Sequence, residues 1–390
     1  MASKKTNKPQ TPLAKSFPDP VLISLVMILV CVGTVIIASA SSARAEDLHG
    51  DSAFFFIRHL KRVILGILGM MLFSRINYQK LKYWGFPLMV ISVGMLIYLL
   101  IPGCVEPIKG SKRFLPLMGQ SVQPAEIAKL ALIIFLADSV TRRGDDLKTP
   151  PGYLTRLFII GGVCALIQFQ PDFSTAFLMA LIGIHALYLG GARIKHLFNT
   201  GLAVAPAAVI AAMSAPYRIR RLDEYIQGIL HPEKVSHHLN QSLIALGDGG
   251  IFGLGPGKSY QKEFYLPEPF TDFVFSILGE ELGFIGTSLV VVLFIIIAVR
   301  GIKIARRAPD HFGFVLAGSI TFIIASYAIV NLMVVTGIIP VSGLPLPFLT
   351  YGGSSLVITM SMVGILLNIS RYAVKSSRYQ YKRKKPRAGN

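Results

Sequence analysis

Near position 270 the chain reads Leu266-Pro267-Glu268-Pro269-Phe270-Thr271-Asp272-Phe273, and an apolar run long enough to enter a membrane follows Asp272. A carboxylate at the mouth of such a run is costly at the bilayer edge, so Asp272 marks a candidate functional site. The competing reading is a helix N-cap, where Asp is favoured and contributes about 1 kcal/mol. Asp172, in Gln170-Pro171-Asp172-Phe173, has the same setting and can cap as well. Asp272 differs in following the longest polar loop and in having Glu268 nearby. Glu280 and Glu281 lie deeper in the same run, and at about 100° per residue Glu281 faces away from Asp272. Buried polar packing is expected of them, not a carboxylate pair with Asp272.

Cationic candidates flank two other segments. Lys112 and Arg113 in Gly110-Ser111-Lys112-Arg113-Phe114 could hold an anionic headgroup, since Arg grips phosphate bidentately and Lys meets it as a point charge. Lys129 could join them, or it could pair with Glu126 three residues back on one helix face, sparing both charges from lipid. Arg58 and Arg62 could serve the same anion or snorkel to the interface. In the long loop, Gly257-Lys258-Ser259 imitates the end of a phosphate loop, but Phe252 stands where that motif needs Gly. Its glycines fit tight turns better. His237 and His238 are adjacent, which argues against metal ligation from one helical face.

The elements that must position these groups are membrane helices. Of 390 residues 53% are hydrophobic and 15% charged, mean hydropathy is +0.58, and apolar runs of membrane-spanning length recur along the chain. No alternation of strand length appears, which excludes an outer-membrane barrel. Ten spans are expected at about 20–42, 53–74, 84–102, 124–141, 155–171, 173–191, 197–215, 272–299, 311–336 and 352–370. The start imitates a secretory signal ending in Ala43-Arg44-Ala45, but its apolar core is too long and reads as a retained first helix. With the N-terminus in the cytoplasm, 25 of 39 Lys and Arg fall inside and 13 of 20 Asp and Glu fall outside. The net charge of +19 is therefore largely topological, and the tail Lys382-Arg383-Lys384-Lys385 suits anionic lipid, not nucleic acid. Cys31, Cys104 and Cys164 are too few and scattered for a disulfide framework or zinc site. The domain reading is a cytoplasmic tail over 1–19, a ten-helix membrane domain over 20–371 with a large extracytoplasmic loop at 216–271, and a basic cytoplasmic tail over 372–390. Three segments are expected to be non-helical and outward-facing: 110–123, the long loop, and 340–355. The last, Pro340 to Ser355, is too apolar for an ordinary loop and too rich in Pro and Gly for a helix, so it is expected to dip back into the membrane.

At these residues the chain resembles the SEDS family of shape, elongation, division and sporulation proteins, which includes RodA and FtsW. The resemblance runs from the second span to the tenth and rests on Gln123-Pro124-Ala125-Glu126-Ile127-Ala128-Lys129, Gln170-Pro171-Asp172, Leu266-Pro267-Glu268 with Thr271-Asp272-Phe273, Gly279-Glu280-Glu281-Leu282-Gly283, and Gly343-Leu344-Pro345-Leu346-Pro347 with Tyr351-Gly352-Gly353-Ser354-Ser355. Gln241-Ser242-Leu243-Ile244-Ala245-Leu246-Gly247, Tyr265 and Leu278-Gly279-Glu280-Glu281 look more like the division member FtsW than RodA. Phe114 stands where the family usually has Trp, and Pro269-Phe270 replaces the commoner Ala-His or Arg-His.

The resemblance implies a GT-C-like fold of ten helices and a peptidoglycan glycosyltransferase that polymerises lipid II at the outer face of the cytoplasmic membrane, releasing undecaprenyl diphosphate. It also implies a class B penicillin-binding protein, an FtsI-like transpeptidase, as partner among the division-machinery proteins. Asp272 aligns with the family's essential Asp, and the expected substrate-binding set is Lys112, Arg113, Glu126, Lys129, Arg58, Arg62, Gln241, Ser242, Glu268, Ser354 and Ser355. Glycan transfer needs a base for the acceptor hydroxyl, a role for Asp272. Cationic side chains, or a divalent metal ion such as Mg2+ or Mn2+ with ligands unassigned, would meet the diphosphate charge. Three other readings stay open: a RodA-type elongation polymerase, a lipid II flippase and a non-catalytic division scaffold. Clustering of the polar segments on the outer face disfavours the flippase, whose site would lie near the midplane.

Overall fold

The computed structural model describes residues 17–105, 113–117, 120–213, 216–231, 233, 235–262 and 270–372. Each of the ten expected spans is a helix: α1 (Pro20–His49), α2 (Phe54–Arg75), α3 (Leu81–Leu100), α4 (Pro124–Arg142), α5 (Pro150–Gln168), α6 (Phe173–Leu189), α7 (Ile194–Met213), α10 (Val274–Arg306), α11 (His311–Val335) and α12 (Ser354–Arg371). Among the described residues, seven helices are long and apolar enough to cross a membrane: α1, α3, α5, α7, α10, α11 and α12. α6 is apolar but has 17 residues. α2 carries Arg58, Lys61 and Arg62, and α4 carries Glu126 and Lys129. The chain is a helical, polytopic membrane protein. α11 and α12 form the buried centre with α4, whereas α7 is peripheral.

Local chemistry sets the boundaries. Asp19 caps α1 by accepting from the Leu22 amide at 3.1 Å, and Pro20 fits the first turn, where no amide donor is needed. α1 outruns its apolar stretch by a full helical turn and more, because Ser41 to His49 holds no breaker until Gly50, whose left-handed φ of 65° ends it.

The loop over 216–271 is not irregular as expected. It contains α8 (Pro216–Leu230) and α9 (His237–Asp248). Reading the loop by its polarity concealed α8, whose apolar residues recur at helical spacing among Arg218, Arg220 and Arg221. Another departure is a short antiparallel hairpin before α4, β1 (Leu115–Leu117) paired with β2 (Gln120–Val122) so that Leu115 faces Val122.

Residues 340–353 form no helix, and Leu344, Leu346, Phe348, Leu349 and Thr350 are buried within the bundle. The segment therefore re-enters against protein, where its backbone can be satisfied. Thr350 clasps it internally, its hydroxyl accepting from the Leu346 amide at 2.8 Å. Gly33 of α1 makes room: a Cβ there would lie 2.7 Å from the Leu349 Cα.

Candidate active site

Asp272 sits two residues ahead of α10, partly exposed, and its Oδ2 lies 3.6 Å from where a Cβ on Gly343 would stand. Its backbone is held from below. The Asn331 side-chain amide of α11 donates to the Asp272 carbonyl at 3.0 Å and to the Leu344 carbonyl at 2.8 Å, tying the acidic turn to the re-entrant segment. A second tie runs from the Tyr351 amide to the Phe270 carbonyl at 2.9 Å. Phe55, Phe270 and Tyr351 pack their rings around it, with centroids 5.1–5.7 Å apart. The carboxylate is thus presented at a mouth whose main chain is fixed on two sides.

α2 brings cations to the other end of the re-entrant segment. The Arg62 guanidinium lies over the Tyr351 ring at 4.6 Å, and Arg58 lies over Phe54 at 4.2 Å. Ser354 opens α12 beside them, its hydroxyl accepting from the Gln123 amide at 2.9 Å and donating to the Ser121 carbonyl at 3.4 Å. Ser355 follows it, half-buried. Asp272, Arg62, Ser354 and the start of α4 therefore share one scaffold, the segment from Gly343 to Ser355.

Other expected site residues stand elsewhere. Arg113 donates to the carbonyls of Gln170 and Pro171 and lies 3.7 Å from the Asp172 carboxylate, itself the cap of α6 through the Thr175 amide. Lys129 and Glu126 pair at 2.7 Å with almost no exposure, and the ammonium lies 4.0 Å from the Tyr327 ring centre. The arrangement is an internal ion pair. Ser242 is buried, bonded to the Ser276 hydroxyl at 2.7 Å and the Val335 carbonyl at 2.8 Å, so it fastens α9 to α10 and α11. Gln241 beside it is half-buried. Lys112 and Glu268 lie outside the described residues.

Glu280 and Glu281 are buried, as expected, and both organise the loop. The Glu280 carboxylate accepts from the Ser259 hydroxyl, from the Tyr260 amide at 2.7 Å and from the Gln261 amide at 3.3 Å. Glu281 accepts from the Ser39 hydroxyl and faces Lys262 at 3.8 Å. The helix breaks at Gly283 (φ 66°, ψ −166°), and the glycine-rich stretch after α9 fills the break. Amides of Leu254 and Gly255 donate to the carbonyls of Glu280 and Glu281 at 2.9 and 3.0 Å, while amides of Phe284 and Ile285 donate back to Gly250 and Ile251. The glycines turn the backbone tightly, with positive φ at Gly250, Gly253, Gly255 and Gly257, and so mend a broken helix.

Among the described residues no three His, Cys, Asp or Glu side chains gather to hold a metal ion. One described carboxylate at this mouth does not make a divalent-metal site by itself.

The chain belongs to the FtsW/RodA/SpoVE family of cell cycle proteins, whose sequence profile it matches over residues 20–375. It is 40% identical to stage V sporulation protein E of Bacillus subtilis (strain 168), over 92% of this chain and 98% of that protein. A "Probable peptidoglycan glycosyltransferase FtsW" of Trichlorobacter lovleyi is 39% identical over 90% and 93% of the two chains. Among solved structures, a chain from a peptidoglycan synthase complex, solved for the structural coordination of polymerization and crosslinking, superposes with a TM-score of 0.75. It is 26% identical, covering 92% of this chain and 99% of that one. The rod shape determining protein RodA of Thermus thermophilus superposes with a TM-score of 0.66 at 25% identity, over 92% and 98% of the two chains.

Proposed function

We propose that this chain is a peptidoglycan glycosyltransferase of the inner membrane that polymerises lipid II for the septal wall, with Asp272 as general base. The observation that carries the assignment of the base is a partly exposed carboxylate whose backbone Asn331 pins to the re-entrant segment. In this reading the Asp272 carboxylate takes the proton from the acceptor sugar hydroxyl as that oxygen attacks the anomeric carbon of the donor. The bond to the lipid diphosphate breaks on the opposite face, so one step inverts the carbon and needs no carboxylate nucleophile. Arg62 and Arg58 meet the charge that develops on the departing diphosphate. Lys129, internally paired, serves the scaffold.

Both termini lie in the cytoplasm in this reading, which puts Asp272 and the re-entrant segment at the outer face. FtsW relatives and the peptidoglycan synthase complex support a class B penicillin-binding protein as partner. Asp272→Asn in purified protein supplied with lipid II is expected to lower the rate of glycan-strand formation about 100-fold or more, the usual contribution of a positioned base. Strands made at near wild-type rate would remove Asp272 from the mechanism.

A further inference from the structure

Two polar side chains next to the Asp272 mouth lack partners that burial ordinarily demands. His59 is wholly buried, and neither ring nitrogen has a hydrogen-bond partner among the described residues. One turn on, Arg62 is 9% exposed, its Nε is likewise unmatched, and no carboxylate among the described residues pairs with it. Positions 59 and 62 share one face of α2. That face meets Tyr351, whose ring lies 4.6 Å from the guanidinium and 6.0 Å from the imidazole. Gly353 closes the other side, where a Cβ would come 3.6 Å from the Arg62 Cζ.

Magnitudes separate this cluster from ordinary packing. A buried ion without a counter-charge costs several kcal/mol, and a cation–π contact returns about 0.5–2. An imidazole with its donor and acceptor both unmade adds about 1–3 kcal/mol to that deficit. Lys129 in the same bundle shows the ordinary solution, a carboxylate at 2.7 Å. We infer that His59 and Arg62 form a binding subsite for a phosphoryl group, with the Tyr351 side chain as its movable cover. The guanidinium offers a planar fork to two phosphoryl oxygens and the imidazole N–H a donor to another. The Tyr351 amide is tied to the Phe270 carbonyl, so its ring can change rotamer while the backbone next to Asp272 stays in place. The inference rests on the reading of this chain as acting on a lipid-linked diphosphate, and it adds His59 and the cover to that reading.

Binding of phosphate-bearing probes to the full chain in detergent tests it without turnover. Farnesyl diphosphate, inorganic pyrophosphate and farnesol are titrated against wild type, His59→Leu, Arg62→Gln and Asp272→Asn. Each of the first two variants is expected to weaken farnesyl diphosphate about tenfold or more, the loss of one charge-assisted hydrogen bond. Farnesol binding should not change, and Asp272→Asn should bind the diphosphate as wild type does. Weakening of both phosphate probes, or of farnesyl diphosphate alone, supports the subsite, and the second result assigns it to lipid-linked phosphate. Binding of both probes within about twofold of wild type in both variants overturns it, whatever Asp272→Asn does to polymerisation. Where Arg62→Gln elutes aggregated, Arg62→Lys keeps the charge and removes the fork, and the same comparison decides.

Discussion

Of the two readings open for Lys129, a cation for an anionic headgroup or a partner for Glu126, the fold shows the second. Both side chains are almost fully buried and satisfy each other at 2.7 Å, with Tyr327 under the ammonium. Removing one partner leaves the other charge buried alone, so Lys129→Met is expected to destabilise the protein by about 3–5 kcal/mol. Met retains the volume and a sulfur contact with Tyr327, so Glu126→Gln with Lys129→Met should recover most of that loss. Thermal unfolding of the purified single and double variants checks it; a double variant as unstable as the single would refute the ion-pair account. Asp272 was legible in the sequence because a charge at a span's mouth is conspicuous. Asn331 was not, since it lies in an otherwise apolar helix and its partners, the carbonyls of Asp272 and Leu344, are set by tertiary packing. His59 escaped notice between Arg58 and Arg62 for the same reason: a residue's burial depends on which face of α2 meets Tyr351.

At the scale of elements, the break in α10 fixes where the glycine-rich stretch after α9 packs. Gly279 to Gly283 reads as continuous helix, because two Glu and a Leu are good helix formers and an isolated Gly is tolerated. The fold instead stops the ladder there and substitutes backbone bonds from residues 250–255. Gly283→Ala is therefore expected to do far more than an ordinary helix substitution. Its φ of 66° with ψ of −166° is nearly confined to glycine, a strain of about 1–3 kcal/mol for any other residue. A Cβ there would also lie 2.4 Å from the Gly253 amide nitrogen, which is backbone and cannot swing aside. Limited proteolysis should find new cleavage between 249 and 262 and unfolding should shift to lower temperature. Gly247→Ala, in α9 with open space around it, should leave both unchanged or raise stability by about 0.5–1 kcal/mol. Equal effects at the two glycines would mean that the mended break is not what holds the loop. The helices at the ten expected positions were readable from apolar run length, whereas α8, α9 and the hairpin before α4 were not, because short elements in polar stretches carry a weaker signal.

For the whole molecule, the question is which face the site occupies, and under the positive-inside rule the charge distribution predicts the outer one. The chain supplies its own probes. Cys104 is exposed just beyond α3, at the end that an inward N-terminus turns outside. Cys31 is exposed too, but it lies about 16 Å along α1 from Pro20, at hydrocarbon depth, where a water-soluble reagent does not reach. Cys164 is half-buried within α5. A membrane-impermeant maleimide added to intact spheroplasts is therefore expected to label the wild-type chain and to leave Cys104→Ser unlabelled. The inverted orientation predicts the opposite order, with Cys104 reactive only after the membrane is permeabilised. That outcome would put Asp272 and the re-entrant segment on the cytoplasmic side, because both are joined to Cys104's end of the bundle through β2 and Ser354. The base would then stand where nucleotide-linked precursors are found, and an extracytoplasmic polymerase would no longer follow from this fold. One labelling experiment on the natural cysteines thus tests the premise on which the roles of Asp272, Arg62 and His59 all depend.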